Sequence, residues 1–250
     1  MSRRAAAWWG FRALCRGALG VGRLLYGLEE QGREHLPERG PLLVVCRRIS
    51  RVDFFGAAQL CAIYREFSTI TSAMAVFDSP LVTALGRELG ILAAVKGTGM
   101  SAGALRAAHR LLSQGAVVLI ADEGEVPWDG RLQPLRAGAA WLGLRSGAPV
   151  VAAMIHGGYD VWPRWARWPR LRGKLAGRVG RPFRLADSPC PRVTRDMVAA
   201  ANRRLVAELL ALSAGYMAEP LETDGAVGVE RISASSGGER RPARARAERA

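Results

Sequence analysis

The chain has 250 residues, 49% apolar and 23% charged, the balance of a polypeptide that folds around a core rather than of a disordered or fibrous one. Its formal charge is +14, from 36 basic and 22 acidic residues, and every basic residue except Lys96 and Lys174 is arginine. The longest apolar runs, such as Ala116 to Ala121 and Ala148 to Ile155, fall far short of the ~20 residues a spanning helix needs, which excludes an ordinary transmembrane helix.

Residues 1–28 carry five arginines and no acid, and Phe11, Leu14, Ala18, Val21 and Leu25 recur at spacings of three and four, the apolar face of a helix. Arg12, Arg16 and Arg23 project within about 40° of one another on the opposite side, beside Trp8 and Trp9. Residues 1–31 are therefore expected to form a basic amphipathic helix of the membrane-surface kind. A signal peptide is the competing reading, but the arginines interrupt any uncharged central region.

From Gly40 to about Gly180, short β-rich runs alternate with longer amphipathic ones: PLLVVC, a helix from Ser50, FSTITSAM, a helix near Leu81 to Leu89, ILAAV, a helix from Ser101 to Ser113, AVVLIA, a helix from Arg136 to Arg145, and APVVAAMI. This alternation predicts an α/β domain over residues 32–218, with a mostly parallel sheet flanked by helices. Ligands collect at the carboxyl ends of such strands, so chemistry is expected just after PLLVVC and AVVLIA. Cys15, Cys46, Cys61 and Cys190 lack metal-ligand spacing, which fits a reducing compartment without a disulfide framework.

A second basic stretch, Arg164 to Arg184, holds eight positive residues and no acid, with Trp162, Trp165 and Trp168 at steps of three. It reads as a solvated loop leading into a strand at Leu175 to Leu185, or as a surface for an anionic membrane or a single-stranded nucleic acid. Residues 219–250 have few large apolar side chains and no periodicity, and are expected to be a disordered tail. That tail has as many arginines as acids, so the excess charge belongs to residues 1–218.

Four segments in order resemble the lysophosphatidic acid acyltransferase family. They are GREHLPERGPLLVVC; RRISRVDFFGA, where the family has Asn-His-x-Ser-x-x-Asp; FDSPLVTALGRELGILAAVKG, which ends in the family's basic phosphate-binding position; and AVVLIADEGEVPWDGRLQPLRAGAAWLGLRSGAPVV, which spans the Phe-Pro-Glu-Gly-Thr-Arg loop. The resemblance covers roughly Gly32 to Leu185. It implies an acyltransferase-like α/β fold and transfer of an acyl chain from acyl-CoA or acyl carrier protein to lysophosphatidate. In that family the motif histidine is the general base and the aspartate orients it. The resemblance implies no metal or bound cofactor. The implied partners are an anionic membrane surface and a lysophospholipid or acyl chain, at a cytoplasmic, peripheral location on the inner face of the cell membrane.

The chain departs from the family at the base. Arg48 stands in the histidine position and Arg47 in that of the asparagine, while Ser50 and Asp53 remain. A guanidinium stays protonated at physiological pH and cannot take a proton from a hydroxyl. Ser50-x-x-Asp53 before an apolar run is also a capping box, a structural reason for both residues to be present. In the last motif Glu123 and Gly124 keep the family core, but Val126 replaces the arginine that would clamp phosphate bidentately. The basic end of the preceding motif is Lys96. The implied site set is thus Arg48 and Asp53 at the catalytic position, with Lys96, Glu123 and Gly124 for substrate.

Three readings follow. The first is an acyltransferase-fold protein at the membrane surface with catalysis lost or impaired. The second is an active acyltransferase of altered mechanism, with His156 at a strand end as the stand-in base; His35 and His109 are the remaining histidines. The third is a nucleic-acid-binding protein, disfavoured because no recognition motif accompanies the charge.

Overall fold

Buried apolar runs make the central strands. The computed structural model describes residues 3–47, 49–53, 67–71, 91–93, 102–121, 126–128 and 134–213. Helix α1 (Arg3–Tyr26) leads into β1 (Glu29–Gln31), a 3-10 turn at Arg33–His35, and then β2 (Leu42–Cys46), β3 (Phe67–Thr71) and β4 (Ile91–Ala93). Helix α2 (Ala102–Ser113), β5 (Val117–Ala121), α3 (Ala137–Ser146), β6 (Val150–His156), one helical turn at Gly158–Val161, β7 (Ala176–Val179) and α4 (Arg195–Ser213) follow. The expected helix near residues 81–89 and the expected tail at 219–250 lie outside the described residues, and the helix expected from Ser50 is described only at Val52 and Asp53.

Among the described residues the strands form one seven-stranded sheet in the order β1-β7-β6-β2-β5-β3-β4. The pairs from β6 through β2, β5 and β3 to β4 are parallel, as the strand–helix alternation requires. The β6–β7 pair is antiparallel, so β7 and its parallel partner β1 run against the rest. β7 is shorter than the strand expected at 175–185; beyond Val179 an isolated bridge joins Phe183 to Val150.

Alternation along the strands divides the core. Leu43 and Val45 of β2, Val118 and Ile120 of β5, and Val150, Ala152 and Met154 of β6 face a layer that includes Leu112 of α2, Leu142 of α3, and Leu205 and Leu209 of α4. The intervening residues Leu42, Val44, Val117, Leu119, Val151 and Ala153 form a second cluster with Leu36 and Val179. Full burial of each leucine contributes about 1.5–3 kcal/mol, so the hydrophobic effect holds the central strands on both faces.

α1 is attached at its C-terminal end. Tyr26 is buried with Val161 and Leu175, and the Leu175 N–H donates to the Tyr26 carbonyl at 3.1 Å. Leu14, Val21 and Leu25 of its expected apolar face are exposed. No helix among the described residues is long and apolar enough to cross a membrane.

Candidate functional site

β2, β5 and β6 are neighbouring parallel strands, so the segments that follow them emerge at one edge of the sheet. After β2 come Arg47, which is buried, and the Ser50–Asp53 turn; after β5 come residues 126–128; after β6 comes the Gly157–Gly158 turn. Arg48, Lys96, Glu123 and Gly124 lie outside the described residues.

Asp53 and Ser50 close a helix start. Oδ2 of Asp53 accepts hydrogen bonds from the Ile49 and Ser50 N–H groups at 2.6 Å each, and the Ser50 hydroxyl oxygen accepts from Val52 N–H at 3.2 Å. This is the reciprocal pattern of a capping box: the side chain at each end satisfies backbone donors that the helix leaves unbonded. Both residues are buried. Gly158 lies against them, since a Cβ there would meet the Ser50 hydroxyl and would come within 2.8 Å of Asp53 Oδ1. Its neighbour Gly157 has φ 75°, and a side chain there would run into the Lys174 carbonyl. The Gly-Gly pair directly after a strand was the available sequence signal for this close approach.

Arg51 joins the corner to the basic loop. Its Nη2 donates to the Arg164 carbonyl at 2.9 Å, its N–H donates to the Trp162 carbonyl, and its guanidinium lies 5.9 Å from the Trp162 ring centre. Arg164 in turn donates from Nη1 to the Val126 carbonyl at 3.0 Å and stacks over Trp128 at 4.6 Å. The Tyr159 hydroxyl donates to the Trp128 carbonyl at 2.7 Å. The segment after β5 is therefore tied to the loop after β6. Sequence reasoning did not find these contacts, because they link residues about 30 to 110 positions apart. Val126, where the family has arginine, has a buried side chain.

The three histidines are engaged elsewhere. His156 shares its side of β6 with Ala152 and Met154, the face packed by α3 and α4, and its Nε2 pairs with the Leu212 carbonyl at 3.0 Å. A carbonyl only accepts, so Nε2 carries the proton in that bond. Burial lowers the His156 pKa, and the nearby Arg178 charge adds to this against the raising effect of the Leu212 bond. Val52, the neighbour of Asp53, packs instead with Ile155 and Val161, and Gly158 lies against Ser50 and Asp53. His35 Nδ1 pairs with the Val179 carbonyl at 3.1 Å, and the His109 ring lies 6.3 Å from that of Trp141. Among the described residues no three His, Cys, Asp or Glu side chains gather as a metal site.

A family model described as Acyltransferase matches residues 27–156. Among solved structures, the 1-acyl-sn-glycerophosphate (LPA) acyltransferase PlsC from Thermotoga maritima is similar, with a TM-score of 0.62 and 18% sequence identity over 86% of this chain and 84% of that one. At that identity the likeness establishes the fold. No curated protein matches the chain.

Proposed function

The chain belongs to the acyltransferase family, and from that premise we propose that it is a lipid-handling protein of the membrane surface in which acyl transfer is lost or strongly impaired. The similar LPA acyltransferase points to a lysophospholipid or an acyl chain as the ligand class, with acyl-CoA or acyl carrier protein as the donor class should transfer remain. The basic surface and α1 favour a peripheral position on the anionic inner face of the cell membrane.

The observation that carries the reading is the state of Asp53. One of its oxygens accepts from two backbone donors at 2.6 Å, so the carboxylate already has a structural task. The residue that it would orient as a base is Arg48, which cannot act as one. Loss of a general base costs about 10²–10⁴ in rate, before any loss of substrate positioning. His156, the candidate stand-in, is buried with its Nε2 bonded to the Leu212 carbonyl, which commits that nitrogen as a donor.

The test is acyl transfer from a long-chain acyl-CoA to lysophosphatidate by the purified full chain, in the presence of anionic vesicles. The expected result is no transfer above the uncatalysed rate, with a trace appearing in Arg48→His. Strong transfer by the unmodified chain, lost on His156→Ala and kept on Asp53→Ala, would establish the altered-mechanism enzyme instead. Val126→Arg is the weaker companion variant, because the Val126 side chain is buried and an arginine there must displace its surroundings.

A further inference from the structure

The loop between β6 and β7 turns three large apolar side chains outward, while Trp162 packs beside Val161 and Leu175. Trp165 is 53% exposed, Trp168 71% and Leu171 75%, and Trp128 beside them is 63% exposed. Soluble surfaces carry such residues singly; four together on two connected segments form a patch that calls for an occupant. The patch is held in place from beneath. Arg164 binds the Val126 carbonyl and stacks on Trp128, while Arg170 lies 4.8 Å over Trp165 and its N–H donates to the Val161 carbonyl. Arg167 lies 5.9 Å over Trp168.

These arginines give the patch its charge. No acid occurs between Asp160 and Asp187, so the loop brings arginine charge without a carboxylate of its own. Stacking on indole holds the guanidinium at the level of the ring, where bilayer phosphates meet the uppermost acyl carbons. Both ends of the loop are fixed to α1 through the Tyr26, Val161 and Leu175 cluster. α1 contributes exposed Leu14, Val21 and Leu25 of its own.

We infer that the loop at residues 162–174, with Trp128, is a docking surface for an anionic phospholipid bilayer, and that α1 extends this surface. The inference deepens the membrane-surface reading above and rests on it. The aliphatic exposure selects the bilayer over a single-stranded nucleic acid: bases stack on Trp165 and Trp168, but Leu171 and the leucines of α1 find no partner in a polyanion, whereas acyl chains receive them. Docking at this surface also sets the orientation of the candidate site, because Arg51 and Gly158 tie the loop to the Ser50–Asp53 corner.

The experiment is co-sedimentation of the full chain with phosphatidylcholine vesicles and with mixed phosphatidylcholine–phosphatidylglycerol vesicles, at low and high salt. Two variants are compared, one Trp165→Ser, Trp168→Ser, Leu171→Ser and the other Arg167→Gln, Arg170→Gln, Arg172→Gln, each checked for an unchanged thermal melt. The unmodified chain is expected to prefer the anionic vesicles. The arginine variant should bind on the order of a hundredfold more weakly at low salt and differ little at high salt. The apolar variant should lose on the order of a hundredfold at both. Binding of the apolar variant as tight as that of the unmodified chain overturns the assignment of the loop while leaving the membrane reading intact. A chain that binds no vesicle overturns both. Binding of a single-stranded oligonucleotide, without vesicle binding and weakened by the same substitutions, assigns the surface to nucleic acid instead.

Discussion

At the Ser50–Asp53 corner the hydrogen bonds run inward, from Ile49, Ser50 and Val52 N–H groups to two buried side chains. In the loop fastened to that corner, Trp165, Trp168 and Leu171 face outward and guanidinium groups lie over the indoles. The two regions are joined by Arg51, yet polar groups close the first and large apolar groups open the second. The difference teaches where function is to be sought. A carboxylate that satisfies backbone donors stabilises the fold, whereas exposed tryptophan and leucine contribute little to the isolated chain's stability and gain most of their free energy when something covers them.

The largest effect that follows is on stability. Asp53→Ala removes the acceptor of two backbone N–H donors, Ser50 buried and Ile49 half-buried, and should destabilise the protein by about 3 kcal/mol, read as a lower urea midpoint at constant slope. Asp53→Asn keeps a carbonyl acceptor and should recover part of that loss. The loop substitutions described above should leave the midpoint in place. If Asp53→Ala unfolds with the unmodified chain, the corner is not a structural cap and the contrast with the loop disappears.

A smaller effect sharpens the same side of the comparison. Ser50→Ala removes a single 3.2 Å acceptor from Val52 N–H, and a cap of this kind contributes about 1 kcal/mol. Urea unfolding should therefore rank Ser50→Ala between Asp53→Ala and the unmodified chain. The reverse order would shift the main capping role from the carboxylate to the hydroxyl.

Much of this architecture was legible in the residues. β2, β5 and β6 are uninterrupted apolar runs, and α2 and α3 lie within a residue or two of their expected bounds, because strands buried on both faces and helices on their surface carry the strongest local signals. The family and its fold followed from motif order, and the capping box from Ser50-x-x-Asp53. β1 was not legible. Glu29–Gln31 is three polar residues, a strand only because its backbone pairs with β7. α4 was missed although Val198, Ala201, Leu205 and Leu209 follow helical spacing and are all buried. At the site, sequence indicated which residues follow each strand but not which contacts they make. The Arg51–Trp162–Arg164–Trp128 chain links three loops, and its partners are set by tertiary packing rather than by local pattern.

The smallest effect concerns the titratable group at the end of β6. His156 is buried against α4, and its pKa is lowered chiefly by burial, so the folded protein disfavours the protonated ring. The unfolded chain takes up that proton near pH 6.5, the ordinary histidine value, before the folded chain does. Stability from His156 is thus complete above that pH and declines as pH falls towards the lowered folded value. His156→Gln keeps a donor for the Leu212 carbonyl and removes the titration. Its melting temperature should fall less between pH 7 and pH 5 than that of the unmodified chain. Equal slopes would mean that the imidazole does not meet Leu212 as a buried neutral donor, and would reopen the question of what this histidine faces. A smaller slope in the variant would add His156 to the inward-facing class that Asp53 defines: a polar group at a strand end whose hydrogen bond holds an element in place.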